Sequence, residues 1–185
     1  HINIMGLRPY TGEGSEPFSA DELAWLDAAR QRLRRESGYQ AIQGTKPQTL
    51  AFGLTDSPLG LAAWIVEKFR SWSDCGGEIE NAIPRDAMLT NIMIYWATGA
   101  IGSSFWPYYD RRHSAWPIPR GARIPAPFGY AEFPNEIARP PRSLAEAQYD
   151  IRRWSVMEKG GHFAALEQPE LLAREIREFF RPLRS

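Results

Sequence analysis

The feature that most constrains this chain is an alternation near its end. "RIPAPFGYA" reads as a short strand, and "LAEAQYD" as a short helix capped by Ser143 and Glu146. "IRRWSVM" reads as a second strand, followed by a loop "GGHF". A final helix opens near Pro169 and is apolar at Leu172, Ile176, Phe179, Phe180 and Leu183. Strand, helix, strand, loop, helix implies parallel strands with helices packed on them, an α/β arrangement. Two strands cannot make a stable parallel sheet, because both faces and both edges need cover. The pattern therefore requires further strands from elsewhere.

Ahead of this tail the text is almost purely helical. Phe18 and Leu23 flank "SADE" as a hydrophobic staple, and Ser19 and Glu22 have capping-box spacing. Leu23, Leu26, Ala29 and Leu33 then keep helical period to Gly38, which predicts a helix over about residues 20–36. "GYQAIQGTKPQTL" reads as irregular. In "DSPLGLAAWIVEKFRSW", Ser57 caps and Pro58 opens a largely buried helix, with Leu61, Trp64, Ile65, Phe69 and Trp72 on its apolar face. Pro84 opens another, "RDAMLTNIMIYWATG", apolar at Leu89, Ile92, Met93 and Trp96 and ended by Gly99. A shorter helix is expected through "AIGSSFWPYYDRR", disturbed by Pro107. At "SAWPIPRGARIPAPFGYAEFP" prolines, glycines and aromatics replace the helix formers.

Composition narrows function by exclusion. The 185 residues suffice for one domain with a core, and 43% hydrophobic with 24% charged content is globular. Lys+Arg and Asp+Glu are equal at 22 each, so no net field favours nucleic acid or an anionic surface, and a neutral organic substrate suits the balance better. One cysteine, Cys75, excludes an internal disulfide and reads as a bystander in a polar loop. No run approaches the roughly 20 apolar residues that span a bilayer. "HINIM" starts mid-phrase without a targeting pattern, so residues upstream of His1 are expected.

The residues that could carry chemistry sit at strand ends. A loop leaving the carboxyl edge of a parallel strand is where open α/β sheets place ligands, and His162 lies in such a loop after two glycines. By position alone it reads equally as a surface histidine ahead of a helix. Glu136, in "FPNEIA", follows the preceding strand, and adjacent parallel strands would bring it near His162. Acid then histidine is the order in α/β-hydrolases, where the carboxylate fixes the imidazole tautomer. Neither "GSS" at 102–104 nor "ESG" at 36–38 is a nucleophile elbow, and three histidines and one cysteine show no metal-ligand spacing, so no metal and no cofactor is expected.

"SGYQAIQGTKPQTLAFGLTDSPLGLAAWIVEKF", "LTNIMIYWATGAIGSS", "FPNEIARPP" and "GGHFAALEQPELLAREIREFF" resemble the C-terminal half of microsomal-type epoxide hydrolases, and the resemblance covers nearly the whole chain. It implies an α/β-hydrolase with a helical cap, its sheet completed by an N-terminal portion outside this chain. It also implies that an aspartate attacks an epoxide carbon to form an ester, which an activated water hydrolyses to a vicinal diol. Carried over residue by residue, the base falls on His162, the orienting acid on Glu136, and the tyrosines that hydrogen-bond the epoxide oxygen on Tyr39 and Tyr108. A shift of one residue would exchange Tyr108 for Tyr109. Phe105, Trp106, Trp96 and Phe128 could wall a small apolar epoxide, or simply pack the core.

The nucleophile, the oxyanion loop and the first strands are expected upstream of His1. Asp56 precedes a helix and is assigned to satisfying its amino-terminal groups. The segments are then the end of a core strand at 1–9, the cap at 10–112 and the C-terminal part of the core at 113–185. The partner implied is the N-terminal portion with its aspartate, and a homo-oligomer is compatible with this. Cytoplasmic or peripheral location and roles in detoxification or natural-product biosynthesis stay open. So do two alternatives: another capped α/β-hydrolase, such as a dehalogenase or esterase, and a catalytically silent subunit that keeps the fold.

Overall fold

The computed structural model describes residues 1–185 apart from Arg8, Trp116, Pro117, Arg120 and Ser185, so part of the proline-rich "SAWPIPR" stretch lies outside the described residues. Among the described residues the α-helices that come first are α1 (Ala20–Glu36), α2 (Gly38–Thr45), α3 (Pro47–Asp56), α4 (Pro58–Trp72), α5 (Arg85–Thr98) and α6 (Trp106–His113). Then follow β1 (Ile124–Glu132), α7 (Arg142–Gln148), β2 (Tyr149–Val156), α8 (Ala164–Glu167) and α9 (Pro169–Phe180).

Strands β1 and β2 are parallel, paired from Ile124 opposite Tyr149 to Glu132 opposite Val156, with register shifts between Ile124 and Pro127 and between Phe128 and Gly129. Residues at the start of the chain lie along the other edge of β1. There the Ile2 amide donates to the Gly129 carbonyl and the Ala131 amide to the Ile2 carbonyl, both at 3.0 Å. Alternation along β1 sends neighbours to opposite faces. Tyr130 packs with Met5 and with Ala145 of α7. Ala131 and Phe133 pack with Met157, Ala164 and Leu172, on the side of α8 and α9. The two strands are therefore covered on both faces, as a parallel sheet requires.

The helical block has two clusters threaded by α4. Leu54, Leu61, Ile92, Ile101 and Phe105 form one. Phe69, Ile83 and Met88 form the other, which Phe163 of the histidine loop joins. Helix α4 thus connects the helical block to the sheet.

Several details differ from the sequence expectation. The stretch "GYQAIQGTKPQTL" is helical, as α2 and the start of α3. Gly44 is a packing glycine: a Cβ there would come within 3.4 Å of the Tyr108 carbonyl oxygen, so its absence lets α2 lie against α6. Pro47 opens α3 at a first-turn position where its missing N–H costs nothing. The Ser19–Glu22 capping box forms, yet no residue of α1 is buried and Leu23 and Leu33 are exposed. Leu89 and Met93 of α5 are exposed as well. Ser143 does not cap α7; its hydroxyl donates to Glu22 of α1 instead. Asp56 ends α3 and does not cap α4; the expected cap Ser57 does, accepting from the Gly60 amide. Tyr149 and Asp150 belong to β2, and Leu183 lies in a 3-10 turn beyond α9.

Candidate active site

Two loops leave the same end of the parallel pair. The one after β1 carries Glu136, the one after β2 carries His162, and an isolated bridge between Asn135 and Gly161 holds them side by side. His162 Nδ1 lies 2.8 Å from Glu136 Oε1. Glu136 is 3% exposed, so this is no solvated surface carboxylate. Its Oε1 also accepts from the Ile137 amide at 2.7 Å, and its Oε2 from Asn3 Nδ2 at 2.9 Å. A carboxylate only accepts, so Nδ1 carries the hydrogen and Nε2 is left free to take a proton. The imidazole is partly exposed, as a base that must meet substrate or water requires.

Asn3 is a residue the sequence reading missed. The same amide nitrogen donates to the His162 carbonyl at 3.0 Å, so one side chain ties the acid and the base loop together. Its signal was present: once residues 1–3 lie along β1, "HINIM" points toward the loop that follows that strand.

The two predicted tyrosines meet. Tyr39, in the first turn of α2, lies edge-on to Tyr108 of α6 with ring centroids 5.8 Å apart. The close α2–α6 crossing at Gly44 creates that meeting. Burial first, then the neighbouring Tyr39 and Tyr95 hydroxyls, hold the Tyr108 phenol above its ordinary pKa. Tyr109 is exposed and stacks on His113 instead. Trp72, the last residue of α4, joins the two groups of side chains: it packs edge-on against Tyr39 at 5.5 Å and against His162 at 5.2 Å. Lys68, paired with Glu36 and Glu67, sits 5.2 Å from the ring centroids of both Tyr39 and Trp72.

Of the residues expected as an apolar wall, Phe105 and Trp96 pack in the helical core and Phe128 packs against Tyr149, while Trp106 is exposed. They do not form one surface. Cys75 is buried and its thiol faces the Arg70 carbonyl. A shallow groove along α5, lined by Leu89, Met93 and Ile94, includes neither His162 nor either tyrosine. Among the described residues no group of three His, Cys, Asp or Glu side chains is placed to hold a metal ion.

An acid after one parallel strand, a histidine after the next, and a helical block inserted ahead of them define the C-terminal part of an α/β-hydrolase. No protein-family model matches the chain. It is 45% identical over 169 residues to a protein of Stigmatella aurantiaca (strain DW4/3-1) that bears a provisional epoxide hydrolase name, covering 91% of this chain and 38% of that protein. It is 43% identical over 156 residues to epoxide hydrolase 1 of Oryctolagus cuniculus, covering 80% of this chain and 34% of that protein. The crystal structure of juvenile hormone epoxide hydrolase from the silkworm Bombyx mori superposes with a TM-score of 0.78 at 33% identity, over 92% of this chain and 43% of that one. The chain belongs to the microsomal-type epoxide hydrolase family and corresponds to its C-terminal part. It spans little more than a third of the length of these curated relatives, 34% and 38%.

Proposed function

We propose that this chain supplies the base, the orienting acid and the oxygen-binding tyrosines of an epoxide hydrolase whose nucleophile stands on an N-terminal portion. The observation that carries the reading is the 2.8 Å contact between His162 Nδ1 and Glu136 Oε1, with Trp72 linking that pair to Tyr39 and Tyr108. Residues 10–112 act as the cap, and residues 1–9 and 113–185 belong to the core.

In the first step an aspartate carboxylate attacks an epoxide carbon. The carbon–oxygen bond breaks, its electron pair stays on oxygen, and a tyrosine proton moves to that oxygen as charge develops. Of the adjacent candidates Tyr108 is the better second donor, because it faces Tyr39 whereas Tyr109 is exposed. In the second step His162 Nε2 takes a proton from water, the hydroxide attacks the ester carbonyl, the diol leaves with the carboxylate restored, and the proton on His162 passes by way of water to the tyrosinate, which resets both groups. Glu136 holds the ring and stabilises the imidazolium that forms. The relatives' names support an epoxide as substrate; the partly buried aromatic surroundings of the tyrosines suit a neutral, apolar one.

The test is a single turnover in 18O-water by the chain joined to its N-terminal portion, with enzyme in excess over an aryl-substituted epoxide. The ester route delivers an unlabelled diol and leaves the label in the aspartate. A diol labelled on its first turnover would rule the ester route out.

A further inference from the structure

We propose that Asp74 and Glu167 are positioning residues that clamp the His162 loop onto the end of α4; the proposal rests on the reading of His162 as the base. Three amides of that loop find acceptors at the end of α4 or on Glu167 of α8. The Gly160 amide donates to Asp74 Oδ2 at 2.9 Å, and the His162 amide to the Trp72 carbonyl at 2.9 Å. The Phe163 amide donates to Glu167 Oε1 at 2.9 Å, and the nearby Gly161 amide favours the charged form of the same carboxylate. Glu167 Oε2 reaches back to accept from the Asp74 amide at 2.7 Å, while Asp74 Oδ1 accepts from Asn135 of the acid loop.

The fit is close enough that only glycine passes. A Cβ on Gly161 would lie 2.5 Å from the Trp72 carbonyl oxygen and 3.0 Å from the Asp74 nitrogen. Glu167 is 8% exposed, and burial, aided by the Asp74 charge, pushes its carboxyl above the ordinary value. A carboxylate kept there at that cost, bonded to backbone amides, serves the loop rather than a surface. The consequence is geometric: His162 and Trp72 move as one unit, and the Trp72 ring touches Tyr39. The clamp therefore fixes the distance between the base and the tyrosines.

The experiment uses Asp74→Asn and Glu167→Gln in the chain joined to its N-terminal portion, with an aryl epoxide. Each change keeps the shape but turns an amide donor toward a backbone N–H. A base displaced by about 1 Å predicts a kcat fall of roughly 10- to 100-fold with KM nearly unchanged. It also predicts covalent ester accumulating in acid-quenched samples, because only its hydrolysis needs His162. Unchanged kcat in both variants overturns the clamp, as does an equal slowing of ester formation and hydrolysis. His162→Ala separates the two readings. If it accumulates no ester, the ester route fails and the clamp is judged by the kcat fall alone. Should Glu167→Gln not fold, Asp74→Asn, which is less buried, decides.

Discussion

Glu136 accepts from an imidazole, a backbone amide and an asparagine, so its carboxylate has one orientation available and imposes it on His162. Glu136→Gln would leave an amide facing the ring nitrogen and release the tautomer. Diol formation should fall by about 10⁴-fold in kcat, in line with amide replacement of a triad carboxylate. At the tyrosines the expectation is graded by position. Tyr39→Phe and Tyr108→Phe should each slow epoxide opening about 10²-fold, the usual worth of a placed proton donor. Tyr109→Phe should not, since that ring lies outside the cluster. Unchanged turnover for Tyr39→Phe would favour a dehalogenase- or esterase-like chemistry, which needs no donor at an epoxide oxygen. Because burial raises the Tyr108 phenol, it stays protonated to higher pH than a free tyrosine, and the alkaline limb of kcat should lie above the ordinary tyrosine range.

Between elements, backbone approach decides more than side-chain volume. Gly161→Ala puts a methyl group against the backbone of α4, and backbone cannot swing aside. About 1–3 kcal/mol of stability should be lost, read as a drop of several degrees in Tm, with activity falling alongside. A different junction pins α9 to β2: Arg153 Nε and Nη2 donate to Glu175 at 2.6 and 2.8 Å. Burial would raise the Glu175 carboxyl, but hydrogen bonds from Arg153 and Ser155, together with the Arg153 and Arg174 charges, outweigh it and hold it below the ordinary carboxylate value. With a lowered folded pKa, the pair stabilises above the unfolded carboxylate value and loses that contribution as pH falls through the folded one. Arg153→Met should therefore lower Tm at neutral pH. The difference from the unmodified protein should shrink below about pH 4.5, the ordinary carboxylate value, as melts across pH would reveal.

For the whole molecule the governing fact, among the described residues, is a sheet of two strands with isolated bridges at Ile2 and between Asn135 and Gly161. Exposed apolar side chains such as Phe52, Leu59 and Val156 accompany it. Residues 1–185 expressed alone should melt broadly and bind a hydrophobic dye. Co-expression with the N-terminal portion should restore a cooperative transition. A sharp melt of the lone chain would contradict this.

The helices that sequence located well were those with local signals. Ser19 and Glu22 start α1, Pro58 starts α4 and Gly99 ends α5, each through chemistry within one turn. The stretch that holds Gly44 reads locally as irregular, yet it is helical, and Gly44 lies against α6, far along the chain.

The sequence by itself determined the parallel strand order, the helical block and the pair Glu136 and His162, because periodicity, caps and strand ends are written in neighbouring residues. Only the tertiary structure decided that Tyr108 rather than Tyr109 faces Tyr39. It alone decided that Asn3 braces the acid and that Asp74 and Glu167 hold the base loop. Those contacts join residues up to 159 positions apart. The energy that selects them resides in packing and buried hydrogen bonds, and no local propensity reports it.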